Sequence, residues 1–192
     1  MSILILGLAI FLGTHSVRIF ADDWRTRQIA RLGEMPWKGV YSVVALIGFA
    51  LIVWGYGLAR AQPTLLWTPP VWGRHLAGLL NVIAFVLLAA AYVRGNSIKA
   101  RLGHPMVLGV KVWAFAHLLS NGSAHAVVLF AAFLAWAVAD FASARRRDRK
   151  AGTVYPPGTA PRDVVVVIAG VVAVAVFAVA LHGWLIGVRP FG

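Results

Sequence analysis

The chain has 192 residues, of which 60% are hydrophobic and only 12% charged, about half the charged fraction of a water-soluble domain, so the bilayer is the expected solvent. The formal net charge is +12, but the Lys and Arg sit in short stretches between apolar runs, not on a polar face with stacking aromatics, which argues against nucleic acid as a partner. The absence of cysteine excludes disulfides, thiolate-bound zinc, iron–sulfur clusters and covalently attached haem, and leaves histidine as the main soft ligand.

Met1-Ser2-Ile3 lacks the cationic start of a signal peptide, so the first apolar run is expected to be retained. Apolar runs long enough to cross a hydrocarbon core as helices fall at about six places: 2–20, 39–59, 73–93, 105–121, 124–142 and 164–187. The expected fold is therefore an all-α polytopic transmembrane bundle, one compact unit over residues 1–192. The fourth and fifth runs are joined only by Ser120-Asn121-Gly122-Ser123, which suits a tight helical hairpin. The last run is rich in Val, and its length in this context makes it a helix.

The first, third and fifth connections hold most of the basic residues, from Arg18 to Lys38, from Arg94 to Arg101, and from Arg145 to Arg162. Both termini are thus expected on the non-cytoplasmic side, with Trp67, Trp72 and Trp184 near the outer interface. The stretch "TVYPPGTAP" reads as a solvated linker whose prolines block helix, and "RRRDRK" as a topology anchor able to touch anionic head groups.

Ionisable groups in hydrocarbon need a local reason. In the first run Phe11, His15, Arg18 and Asp22 recur at helical spacing and share a face, with Arg18 and Asp22 placed to neutralise one another at the inner end. In the fourth, Pro105, Gly109, Trp113, His117 and Asn121 form a strict i, i+4 series that must face protein. Gly109 leaves a gap there for a flat group or a neighbouring backbone. Two inward histidines on different helices are the arrangement by which a bundle holds a b-type haem, each neutral imidazole supplying an iron ligand. The same pair also reads as two interhelical hydrogen-bonding residues.

His104 precedes Pro105 at the helix entrance and reads as an interfacial or capping residue. His75, His125 and His182 map to the outer side, where they could form a second metal site or stand as ordinary interfacial histidines. Gly183 and Gly187 read as a small-residue helix-packing pair. No Gly-x-Ser-x-Gly, P-loop or His-Glu-x-x-His motif occurs, so hydrolase, nucleotidase and zinc-protease readings have no support.

The stretches "FLGTHSVRI", "GEMPWKGVYSVVALIGF" and "GHPMVLGVKVWAFAHLLSNG" resemble the NnrU family of bacterial membrane proteins, with the 15-cis-zeta-carotene isomerases of plants and cyanobacteria as more distant relatives. The resemblance runs from about residue 1 to "RRRDRK" and less clearly beyond. It implies a multi-pass protein of the bacterial inner membrane, in contact with the lipid bilayer and linked to nitrogen-oxide metabolism and denitrification. Through the isomerases it implies a haem b with two histidine ligands, which carry over to His15 and His117, while His104 matches a further family histidine. Arg18 is then available for a haem propionate, and Gly109 and Trp113 line the cofactor face. The expected role is redox-gated chemistry or sensing of a small nitrogen-oxide ligand. Alternatives are a haem-dependent isomerase of a hydrophobic polyene, or a small carrier or channel without cofactor. Counted from the run boundaries, His15 and His117 differ in depth by about 10 Å, which keeps His15 with His104 open as another pair.

Overall fold

The computed structural model describes residues 1–190, which are helical apart from loops and one isolated antiparallel bridge. Five helices are long and apolar enough to cross a membrane: α1 (Ser2–Phe20), α3 (Glu34–Ala61), α4 (Val71–Tyr92), α7 (Ala124–Ala151) and α8 (Ala160–Ile186). Between them lie α2 (Asp22–Leu32), α5 (Ser97–Leu102) and α6 (Pro105–Ser120).

The expected fourth span is α6, a helix of 16 residues. Its rise of about 24 Å falls short of a hydrocarbon core of about 30 Å. The first connection, expected as a loop, is mostly helix. In α2 Asp22 and Asp23 sit in the first turn and Arg31 in the last, which complements the helix dipole and lets a charged segment stay helical.

The chain folds as two compact units: Met1–Thr68 with Asn121–Ser143, and Pro69–Ser120 with the residues from Ala144 onward. The first is built on a close approach of α1 to α3, along a seam kept narrow by glycine. A Cβ on Gly7 would stand 2.6 Å from Ile52 N, one on Gly48 would stand 2.7 Å from Phe11 N, and one on Gly55 would strike Leu4 N. Leu4, Leu8 and Ile52 fill the core beside this seam, and Val128, Leu129 and Phe133 of α7 pack against them. Small residues let backbones come into van der Waals contact where no hydrophobic effect drives helices together. The segment before α7, expected as a tight hairpin turn, is bound to the loop after α3. Leu65 bridges Ser123, and Ala124 N donates to Thr64 O at 2.8 Å.

In the second unit α4 packs against both α6 and α8. The gap at Gly109 is taken by α4 backbone, since a Cβ there would lie 3.0 Å from Ala84 O. Of the two occupants expected for that gap, a neighbouring backbone is the one present. Gly170 of α8 meets Val86 in the same way, its added Cβ lying 2.6 Å from Val86 Cα.

The connection into α8 is solvent-exposed over most of its length and is pinned at its far end. Thr159 N donates to Gly95 O at 3.0 Å, Ser97 N donates to Asp163 Oδ1 at 2.6 Å, and Gly158 lies directly against Asn96 and Ser97. Asn96 anchors this corner: it accepts from Lys99 N at 2.7 Å as the cap of α5 and donates to Ala90 O and Val93 O. Near its end α8 widens into a π turn, Phe177–Leu181, closed by the bond from His182 N to Phe177 O. Gly187, expected as a packing residue, is instead the left-handed cap of this helix, with φ 72°.

Gly55→Val should therefore destabilise the protein by about 1–3 kcal/mol or more, because overpacked backbones have no room to relax. Gly57→Val, two residues away with nothing within 4 Å of an added Cβ, should be nearly neutral. Thermal unfolding of both variants in detergent checks the contrast.

Candidate functional site

The sequence-predicted residues fall into three local settings, one in the first unit and two in the second. In the first, His15 sits on α1 one turn after Phe11, and its Nδ1 lies 2.7 Å from Phe11 O. A carbonyl only accepts, so Nδ1 carries the proton and the Nε2 lone pair is left for another partner. Aromatic rings from three helices enclose the imidazole. Phe11 is 4.2 Å away by centroid, Tyr41 of α3 is 5.4 Å, and Trp136 of α7 stands perpendicular at 6.0 Å. Arg18 reaches Asp22 at 3.9 Å, but through a break at Ala21, so Asp22 opens α2 instead of continuing the face of α1. The Arg18 side chain is 57% exposed, which leaves it accessible to a further anion.

In the second setting His117 repeats the geometry of His15. Its Nδ1 donates to Trp113 O at 2.9 Å, and the Trp113 ring lies 5.2 Å from the imidazole. Pro105 and Gly109, lower on the same stripe, are buried, whereas Trp113 and His117 are half-buried. The stripe thus divides into a packing half and a half that carries polar side chains.

His104 occupies a third setting and is bound differently. Its Nε2 donates to Asp148 Oδ2 at 2.8 Å. The same oxygen accepts from the Tyr155 hydroxyl at 3.0 Å and has Arg145 NH1 at 3.6 Å. Gly103 makes this closure feasible. With φ 75° and a would-be Cβ only 3.1 Å from both Arg145 and Tyr155, the position accepts no other residue without strain. Asp148 lies in the charged end of α7, past the apolar run, and Tyr155 in the connection that follows. Neither stood out in the sequence. The Asp in "RRRDRK" was the one available signal, an acid alone in a basic run.

Burial by itself would raise the Asp148 carboxyl. Hydrogen bonds from Tyr155 and His104, with the charges of His104 and Arg145, outweigh that and hold it below the ordinary carboxylate value. Burial, then the hydrogen bond to Asp148 and its negative charge, push the Tyr155 hydroxyl up. Asp148 therefore stabilises this corner above the usual carboxylate range and loses that contribution as pH falls through its lowered value; Tyr155 stays neutral through and somewhat beyond its ordinary range.

His75, His125 and His182 form no metal cluster: among the described residues no group of three or more His, Cys, Asp or Glu is placed to hold a metal ion. His125 is instead buried beside Tyr56, with its Nε2 3.3 Å from Ser123 Oγ.

A helical, multi-pass membrane protein with half-buried histidines fixed by backbone carbonyls is the class these features define. Comparison with known families makes it specific: a profile described as NnrU protein matches residues 3–190, nearly the whole chain, and the chain belongs to that family. No curated protein and no solved structure matches it.

Asp148→Asn should loosen both the entrance of α6 and the segment around Tyr155, and should abolish the acid limb of their protection. Amide hydrogen exchange of residues 103–108 and 153–156 across pH 3 to 7 measures this, with faster exchange expected in the variant already at neutral pH.

Proposed function

We propose that the chain is a haem b-binding protein of the NnrU type in the bacterial cytoplasmic membrane, with both termini outside the cytoplasm, and that His15 and His117 are its iron ligands. The observation that carries this reading is the shared state of the two imidazoles. Each gives its Nδ1 proton to the carbonyl one turn back, at 2.7 Å in His15 and 2.9 Å in His117. Metal-bound histidine ordinarily has its second nitrogen engaged in this way, which fixes the tautomer and the ring plane and makes the ligating nitrogen more basic.

The donor set fits a b-type haem. It offers neutral nitrogen ligands, has no thiolate, and has aromatic and apolar side chains around the His15 imidazole that suit a porphyrin face. His104 suits the role less well, because Nε2 is committed to Asp148 and Tyr155. Held by these histidines, haem would supply one-electron iron chemistry and a metal able to take a small ligand, which accords with redox-gated chemistry or sensing linked to nitrogen oxides. The residues of the chain hold the imidazoles in one tautomer and surround the His15 ring with aromatic groups. Arg18, exposed at the inner end of α1, offers a cation to a carboxylate.

Protein expressed with ample haem precursor should purify with a Soret band of a low-spin bis-histidine species. His15→Ala and His117→Ala should each remove most of that band, while His104→Ala should leave it. A colourless wild-type protein, or a spectrum indifferent to both ligand substitutions, overturns the assignment.

A further inference from the structure

Trp136 carries the one buried side-chain nitrogen or oxygen without a hydrogen-bond partner among the described residues, its indole Nε1. A buried N–H that forgoes its bond is costly, and within hydrocarbon no water replaces it. Its position makes the omission informative. The indole is perpendicular to the His15 imidazole, with centroids 6.0 Å apart. Phe11 and Tyr41 approach the same imidazole from α1 and α3. With Nδ1 spent on Phe11 O, His15 has Nε2 left, and no hydrogen bond of that atom occurs among the described residues. An unmatched donor and an unmatched imidazole nitrogen thus sit side by side in one aromatic enclosure. Trp136 also borders an apolar cleft of about 490 Å³, together with Leu12, Gly13 and Ser16 of α1, and nothing lies within 4 Å of a Cβ built on Gly13. Room for an apolar group exists beside the indole.

We propose that Trp136 belongs to the binding site at His15 and that its Nε1–H donates to an oxygen atom of the group held there. The proposal rests on the haem reading, in which His15 and His117 are both ligands of the iron, so the oxygen is a carboxylate of the porphyrin. The indole selects among bound orientations, because it stabilises only those that present an acceptor to it. Trp136 acts on the bound group directly, and the His15 tautomer is set independently by Phe11 O.

Ultraviolet resonance Raman spectra of wild-type protein minus Trp136→Phe isolate this one indole among the eight tryptophans. The haem-free protein should show a weakly bonded N–H, and loading with haem b should move that band to the hydrogen-bonded position. Loading with iron octaethylporphyrin, which carries no oxygen, checks the acceptor: a shift that vanishes assigns the porphyrin carboxylate, and one that persists overturns that assignment. Trp136→Phe should retain haem about five- to tenfold less tightly, as expected for one lost hydrogen bond. Replacing Trp136 with benzothienylalanine, which keeps the bicyclic shape and lacks the N–H, should reproduce that loss with no fall in haem-free melting temperature. An indole band that stays put while the Soret band is present overturns the role of Trp136 alone. A wild-type protein without a Soret band overturns the haem reading and this proposal together.

Discussion

Every polar side chain placed inside an apolar helix must be satisfied within the protein, and this chain meets the requirement mostly by one device. Thr14 donates to Ile10 O, Asn81 to Ala77 O, Ser120 to Ala116 O, and His15 and His117 to Phe11 O and Trp113 O, each across four residues. Such a bond needs no partner helix, so a polar residue can be carried at almost any depth. For a hydroxyl the matter ends there. An imidazole has a second nitrogen, and the same bond that satisfies the first defines what the second can do. In His15 and His117 the nitrogen so satisfied is Nδ1, and the second is Nε2.

His104 marks the boundary of that rule. It stands outside an apolar run, where a carboxylate can be kept charged, and its Nε2 bonds to Asp148 and Tyr155. The Nε2 of His104 fastens a loop to the end of a helix, whereas the Nδ1 of His15 is spent within its own helix. Composition cannot make that distinction, since all six histidines look alike in the chain.

The long spans were legible because hydropathy over twenty residues is a strong signal, and the faces of α1 and α6 because i, i+4 recurrence survives in any helix. What stayed hidden depends on distant pairing. Asp148 and Tyr155 lie 44 and 51 residues from His104, and nothing local announces the cluster. Gly7, Gly48 and Gly55 look like ordinary glycines of apolar segments until α1 and α3 are laid together. Charge concealed α2, for a segment so polar reads as a loop unless its dipole complementarity is weighed. Trp136 is hidden for the opposite reason, since in sequence it is one more large apolar residue among alanines. Only the placement of its N–H gives it chemical meaning.

The π turn at Phe177–Leu181 alters how the last helix should be read along its length. In an α-helix residues five apart diverge, whereas here His182 comes over Phe177, ring perpendicular to ring at 5.8 Å. The inserted residue rotates everything after it by about 100°, so the stripe that packs Gly170 against α4 does not continue into the segment carrying His182 and Trp184. The helix has two azimuths joined at one bulge. A single deletion within 177–181 would restore uninterrupted phase and turn those side chains toward a different neighbour, with the chain's composition and hydropathy essentially unaltered.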